Sequence, residues 1–330
     1  MNHDSLITLS DIYKARKGIT SIVGRTPLVE APWLSQLTGA QVFFKLENLQ
    51  VTGSFKIRGA ANRLLNLPQA ARERGVITVS SGNHGRAVSH VAGKLGIPVV
   101  VCLSDAVPAN KREAIGELGA EVVVVGKTYD EAAEGAARLQ EEHGLTMIHP
   151  FDDPLVISGQ GTIGLELLED FPEIDTLIAP LSGGGLLSGI ALTLKSADPT
   201  IQVIGVSMER GPAMVESLRA GKVVDIVEEP TLADALAGGI GPENLYTFDM
   251  IQKYMDDAIL VSEEEIAGAM AFALHKHHLV VEGGGAVGIA ALLYEKVERF
   301  GQNIAIVISG GNVDLPVLVN IARDYQTTWK

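Results

Sequence analysis

The chain has 330 residues, 46% of them hydrophobic and 20% charged, with 36 glycines and a formal charge of −14. That length predicts about two domains around a real core, and the acidic balance argues against nucleic acid or an anionic membrane surface as partner. No apolar stretch is long enough to span a bilayer, the opening Met1–Ser5 carries no basic region followed by an apolar run, and the single Cys102 excludes an internal disulfide, so a cytoplasmic protein is expected.

In chain order, Gln41–Leu46 is the strand candidate ahead of residue 75. Gly75–Ser80 then reads as a short apolar strand. After a Gly/Asn turn, Val88, Val91, Ala92 and Leu95 fall at i, i+3, i+4 and i+7, which gives one apolar helix face. Val99–Leu103 (strand), Ala109–Leu118 (helix), Glu121–Val125 (strand), Tyr129–His143 (helix) and Leu145–His149 (strand) complete a β-α-β alternation. A second series of strands follows at Asp175–Pro180, Ile201–Ser207, Ala258–Ser262 and Asn303–Ser309, with intervals long enough for crossover helices. The pattern predicts an α/β protein of two lobes, each an open, mostly parallel sheet with flanking helices. The expected division is a small lobe over 75–150 and a large lobe over 1–74 and 151–330.

Four strings carry chemistry. Gly53-Ser54-Phe55-Lys56-Ile57-Arg58-Gly59-Ala60 puts a lysine among small and apolar residues where a helix begins, and partial desolvation there favours the neutral amine that a Schiff base requires. Taken alone, the string fits a lysine that snorkels to solvent better. Ser182-Gly183-Gly184-Gly185-Leu186 joins a strand to a helix of residues 187–195 and is either a phosphate cradle or a tight packing turn. No Lys-Ser/Thr pair follows it, which speaks against a nucleoside-triphosphate loop. Ser80-Ser81-Gly82-Asn83-His84-Gly85 lies at the C-terminal end of a strand, where open α/β sheets bind ligands, and suits a carboxylate and a ring hydroxyl. A plain helix cap with His84 on the surface is its alternative. Ser309-Gly310-Gly311-Asn312 ends the last buried strand; its serine can meet a neutral ring nitrogen, or the string is only a turn. Gly283–Gly288 fits G-x-G-x-x-G but lacks a proper preceding strand and a following acidic residue, so it reads as a close-packed turn lining the site. His275, His277 and His278 match no zinc spacing and read as a surface helix; no metal is expected.

In this order, GSFKIRGA, SSGNHG, SGGGL and SGGNVD resemble the fold-type-II pyridoxal-phosphate family of threonine and serine dehydratases and serine racemases. The resemblance runs from Thr26-Pro27-Leu28 to Asp314. It implies pyridoxal 5′-phosphate as cofactor, Lys56 as its Schiff-base lysine and Gly183, Gly184, Gly185 and Leu186 as its phosphate loop. It also implies Asn83 beside the ring hydroxyl, Ser309 beside the pyridine nitrogen and Ser81 as a catalytic hydroxyl on the opposite face. Ser80, Ser81, Gly82, Asn83 and His84 would hold the substrate carboxylate. The implied reaction removes water and ammonia from a small β-hydroxy-α-amino acid; racemisation and cysteine-synthase-type β-replacement are the alternatives. A homodimer or homotetramer is implied as well. Ser207 follows Gly205-Val206 where the family's racemases carry an acidic metal ligand, which puts that metal site in doubt. Cys102-Leu103-Ser104, Val107–Lys111 and Gly205–Gly211 further resemble the hydroxyectoine-utilisation dehydratase branch.

Overall fold

A computed structural model describes residues 7–80, 82–105, 107, 109–127, 129–241 and 243–325. The strands are β1 (Leu28–Glu30), β2 (Gln41–Leu46), β3 (Val76–Val79), β4 (Val99–Leu103), β5 (Glu121–Val124), β6 (Thr146–Met147), β7 (Thr176–Pro180), β8 (Gln202–Met208), β9 (Asp257–Val261) and β10 (Asn303–Ile308). They form a six-stranded sheet in the order β1-β2-β10-β7-β8-β9 and a four-stranded sheet in the order β5-β4-β3-β6. The expected α/β architecture is present, and every pairing is parallel except β1 with β2. That antiparallel edge was missed because a three-residue strand carries too little alternation to read.

Parallel strands covered on both faces read as continuous apolar runs, and β10 is the example. Ile304, Ile306 and Ile308 enter one apolar cluster with helix Gly283–Leu293, while Ala305 and Val307 enter another with helix Gly185–Ala197. In the smaller sheet β6 is shorter than the expected Leu145–His149. Ile148 still donates to Ile77, but its carbonyl is taken by the Thr78 hydroxyl and the His84 ring, and Pro150 has no N–H to extend the ladder.

Helix Lys56–Leu65 lies at the seam between the sheets. Ile57, Ala60, Ala61 and Leu64 pack with Val76, Ala87, Val88 and Val91 of the smaller unit. Asn62 ties the same helix to helix Pro154–Asp170 by a bond to the Leu155 carbonyl at 2.7 Å. Below it, Arg58 is fully buried and forks onto two carboxylates. It reaches Glu47 at 2.7 and 2.8 Å and Glu166 at 2.7 and 2.9 Å. Lys45, also fully buried, stands 2.6 Å from Glu166. Burial works against the Arg58 charge, but the two glutamates outweigh it and the guanidinium is held more firmly protonated than usual. Among the described residues, no helix is long and apolar enough to cross a membrane.

Candidate active site

Parallel sheets present their loops at the C-terminal strand ends, and here the loops after β3, β7 and β10 meet the start of helix Lys56–Leu65. Ser54 bridges to Gly310, and the Phe55 N–H donates to the Ser309 carbonyl at 3.0 Å, so Lys56 begins its helix beside the end of β10. The half-buried Lys56 amine donates to the Pro150 carbonyl at 2.8 Å. Burial pulls its pKa down to about 8, against the opposing charge of Glu282. A lysine with its ammonium in solvent would show neither feature.

The loop after β7 is held from behind. Ser182 donates to the Leu236 carbonyl at 2.9 Å. Gly184 has φ +86°, a conformation that L side chains avoid, and a Cβ on Gly183 would run into the Phe151 ring. Helix Gly185–Ala197 starts directly afterwards, and its first internal bond is Ser188 to the Gly184 carbonyl. The N–H groups of residues 183–186 therefore have no acceptor among the described residues, and they stand at the positive end of the helix.

On the third side, Ser80 accepts from the Gly82 N–H at 3.3 Å and Asn83 starts helix Asn83–Leu95. The Asn83 amide donates to Glu282 at 2.6 Å and accepts from Asn312 at 2.6 Å. Ser81 lies outside the described residues. His84 is buried, not at the surface: its Nε2 pairs with the Ile148 carbonyl at 2.9 Å, and burial with the nearby Lys56 lowers it to about 3. The ring is thus neutral, with Nε2 engaged and Nδ1 buried without a partner, and the backbone N–H of His84 is free to face the cleft. Ser309 is buried, its hydroxyl 3.5 Å from the Gly284 carbonyl. The glycine string 283–288 is the first half of helix Gly283–Leu293, with Glu282 as its N-cap, rather than a turn.

Glu282 and the segment around Pro150 also stand here and carry no role in the sequence reading, and Asn312 enters it only as part of the SGGNVD string. Burial pushes the Glu282 carboxyl up to about 7, although the Asn83 bond acts the other way. The only sequence signal for it was its place just before the glycine string. Two surface hollows of about 190 and 510 Å³ share Arg25, Thr26 and Pro27 and contain none of these residues.

Residues 19–310 match the family described as pyridoxal-phosphate dependent enzyme. The chain belongs to that family. It is 44% identical over 316 residues to an L-threonine ammonia-lyase of Thermotoga maritima, covering 96% of this chain and 78% of that one. It is 47% identical over 315 residues to a putative threonine dehydratase of Sinorhizobium fredii, covering 96% and 95%. The solved maize serine racemase superposes with a TM-score of 0.90 at 35% identity, over 97% of this chain and 98% of that one. The residues of this pyridoxal-phosphate enzyme fit its cofactor. The depressed Lys56 amine could carry the aldehyde, and the row of unpaired N–H groups at 183–186 could take the phosphate dianion. Asn83 and Ser309 add polar atoms on two further sides.

Proposed function

We propose that this enzyme is an ammonia-lyase that converts a β-hydroxy-α-amino acid of the L-threonine/L-serine class to a 2-oxo acid and ammonia. The observation that carries the reading is the Lys56 amine, drawn to about 8 and held by Pro150 at the meeting point of the three loops. When bound, pyridoxal phosphate draws electrons from the α-carbon of an attached amino acid. Lys56 would anchor the cofactor and, with its amine free, would be the base that takes the α-proton of the substrate. The N–H groups of Gly183, Gly184, Gly185 and Leu186 and the helix behind them hold the phosphate. Asn83 would bond the ring hydroxyl. Ser309 would bond the ring nitrogen without charging it, as a carboxylate would, and so would favour loss of the β-hydroxyl over proton exchange at the α-carbon. Ser80, Ser81, Gly82, Asn83 and His84 take the substrate carboxylate, the last two through N–H groups at the head of helix Asn83–Leu95. In this reading residues 75–150 are the substrate-binding lobe, residues 1–74 and 151–330 the cofactor-binding lobe, and the enzyme works as a cytoplasmic homodimer or homotetramer.

The finer substrate reading follows the branch strings quoted above: a longer, polar substrate derived from hydroxyectoine reacts with higher kcat/KM than L-threonine. Serine racemisation is a second reading, favoured by the maize serine racemase likeness, and would use Ser81 opposite Lys56. The test is a panel of β-hydroxy amino acids, assayed for 2-oxo acid release and for optical inversion. Lys56→Ala should abolish both; near-native release by that variant would overturn the assignment. Inversion without release would replace the lyase reading by the racemase.

A further inference from the structure

Glu282, Asn83 and Asn312 come from three separate stretches of chain and close a ring of hydrogen bonds. One Glu282 oxygen accepts from Asn83 Nδ2 at 2.6 Å, and the other accepts from the Asn312 backbone N–H at 3.0 Å. Asn312 Nδ2 completes the ring by donating to Asn83 Oδ1 at 2.6 Å, and also bonds the Thr52 carbonyl at 2.9 Å. Gly310 leaves room for it, since a Cβ there would run into the Glu282 carboxylate.

A side-chain amide has one oxygen and two N–H groups, and the ring occupies the Asn83 oxygen and one N–H. Turning the amide over would set its oxygen against the Glu282 carboxylate and its nitrogen against the Asn312 nitrogen. Both new contacts are repulsive, so the amide has one orientation. Its second N–H remains, and its direction is fixed. Both Glu282 oxygens act as acceptors, so the ring is strongest with the carboxylate ionised. Lys56, Lys111 and Asp234 are the charged groups whose fields reach it.

We propose that Glu282 is a positioning residue that acts through Asn83, fixing which edge of that amide is offered to the bound cofactor. This rests on the assignment of Asn83 to the cofactor's ring hydroxyl given above.

The experiment uses the holoenzyme as wild type, Asn83→Ala, Glu282→Gln and the double variant. The position of the visible absorption band of the bound cofactor and the cofactor dissociation constant are measured beside far-ultraviolet circular dichroism. Glu282→Gln places an amide donor in the ring. It should shift the band in the same direction as Asn83→Ala and weaken cofactor retention about tenfold or more, the loss expected for one charge-assisted bond. Because the two residues act as one unit, the double variant should lose no more than the worse single. Asn312→Ala opens the ring at its other side and serves if Glu282→Gln does not fold. If Asn83→Ala shifts the band and Glu282→Gln does not, or if the two losses multiply in the double variant, the positioning role is refuted while Asn83 keeps its place. If Asn83→Ala leaves both the band and retention unchanged, the cofactor assignment of Asn83 fails first and the inference with it.

Discussion

Replacing Arg58 by Ala would leave Glu47 without its cation and Glu166 with Lys45 alone in the seam of the protein. Arg58 makes four bonds of 2.7–2.9 Å to Glu47 and Glu166, and Glu47 is fully buried. Taking one member from a buried ion pair costs about 3–5 kcal/mol, because the other charge stays desolvated. At roughly 2 °C per kcal/mol for a chain of this size, the melting temperature should fall by about 6–10 °C. The pH dependence gives the sharper check. In the native protein burial pushes the Glu166 carboxyl up, but Arg58 and Lys45 outweigh it and hold the pKa below its ordinary value. A group depressed on folding adds stability above its unfolded pKa, and loses it as pH falls through the folded one. Without Arg58 only Lys45, 2.6 Å away, opposes burial at Glu166, so the depression shrinks. The gap between variant and wild type should then narrow as pH is lowered from 7 to 4, because the wild type has the larger carboxylate contribution to lose. Urea unfolding at pH 4, 5 and 7 reads both effects. A loss below 1 kcal/mol at neutral pH, or a gap between the two proteins that is constant across this range, would refute the reasoning.

Cofactor-free protein should capture pyridoxal phosphate at a rate that rises with pH up to about 8 and then levels, following the neutral fraction of Lys56; a rate still rising through pH 10 would mean an ordinary lysine. Ser309→Asp should charge the ring nitrogen and lower the ratio of 2-oxo acid release to α-proton exchange, measured by deuterium uptake into recovered substrate; an unchanged ratio with cofactor bound would remove Ser309 from that part. Gly183→Ala forces a methyl into the Phe151 ring, so the loop must shift at a cost of about 1–3 kcal/mol, seen as weaker cofactor retention in dialysis; unchanged retention would show that the loop can give.

Much of the site could be read from the sequence because its chemistry sits at strand-to-helix junctions. Taken alone, the strings around Lys56 and Gly183–Gly185 left a snorkelling lysine and a packing turn open, and only their order along the chain, as a family resemblance, pointed to both. What stayed hidden depends on distant partners. Arg58 and Glu166 are 108 positions apart, and each alone looks like an ordinary surface charge; only the fold buries them together. Glu282 escaped for the same reason, since its partners Asn83 and Asn312 come from other parts of the chain. His84 was seen as a loop residue, but its helix turns the ring inward to the Ile148 carbonyl, a contact set by where β6 ends.

The sheet order also governs how this chain is born. β2 lies between β1 and β10, and its parallel partner runs from Asn303 to Ile308, near the far end of the sequence. A ribosome adds about 5–20 residues per second, so β2 waits roughly 13–50 s for a neighbour some 260 residues downstream. The smaller sheet has all four strands between Val76 and Met147 and can close long before that. The early strand carries Val42, Phe44 and Leu46, all buried in the finished protein, and for that interval its apolar edge is open to other nascent chains. Synthesis is therefore the stage at which this edge stands uncovered, and weakening β10 should lower the yield in cells more than the stability of the folded protein.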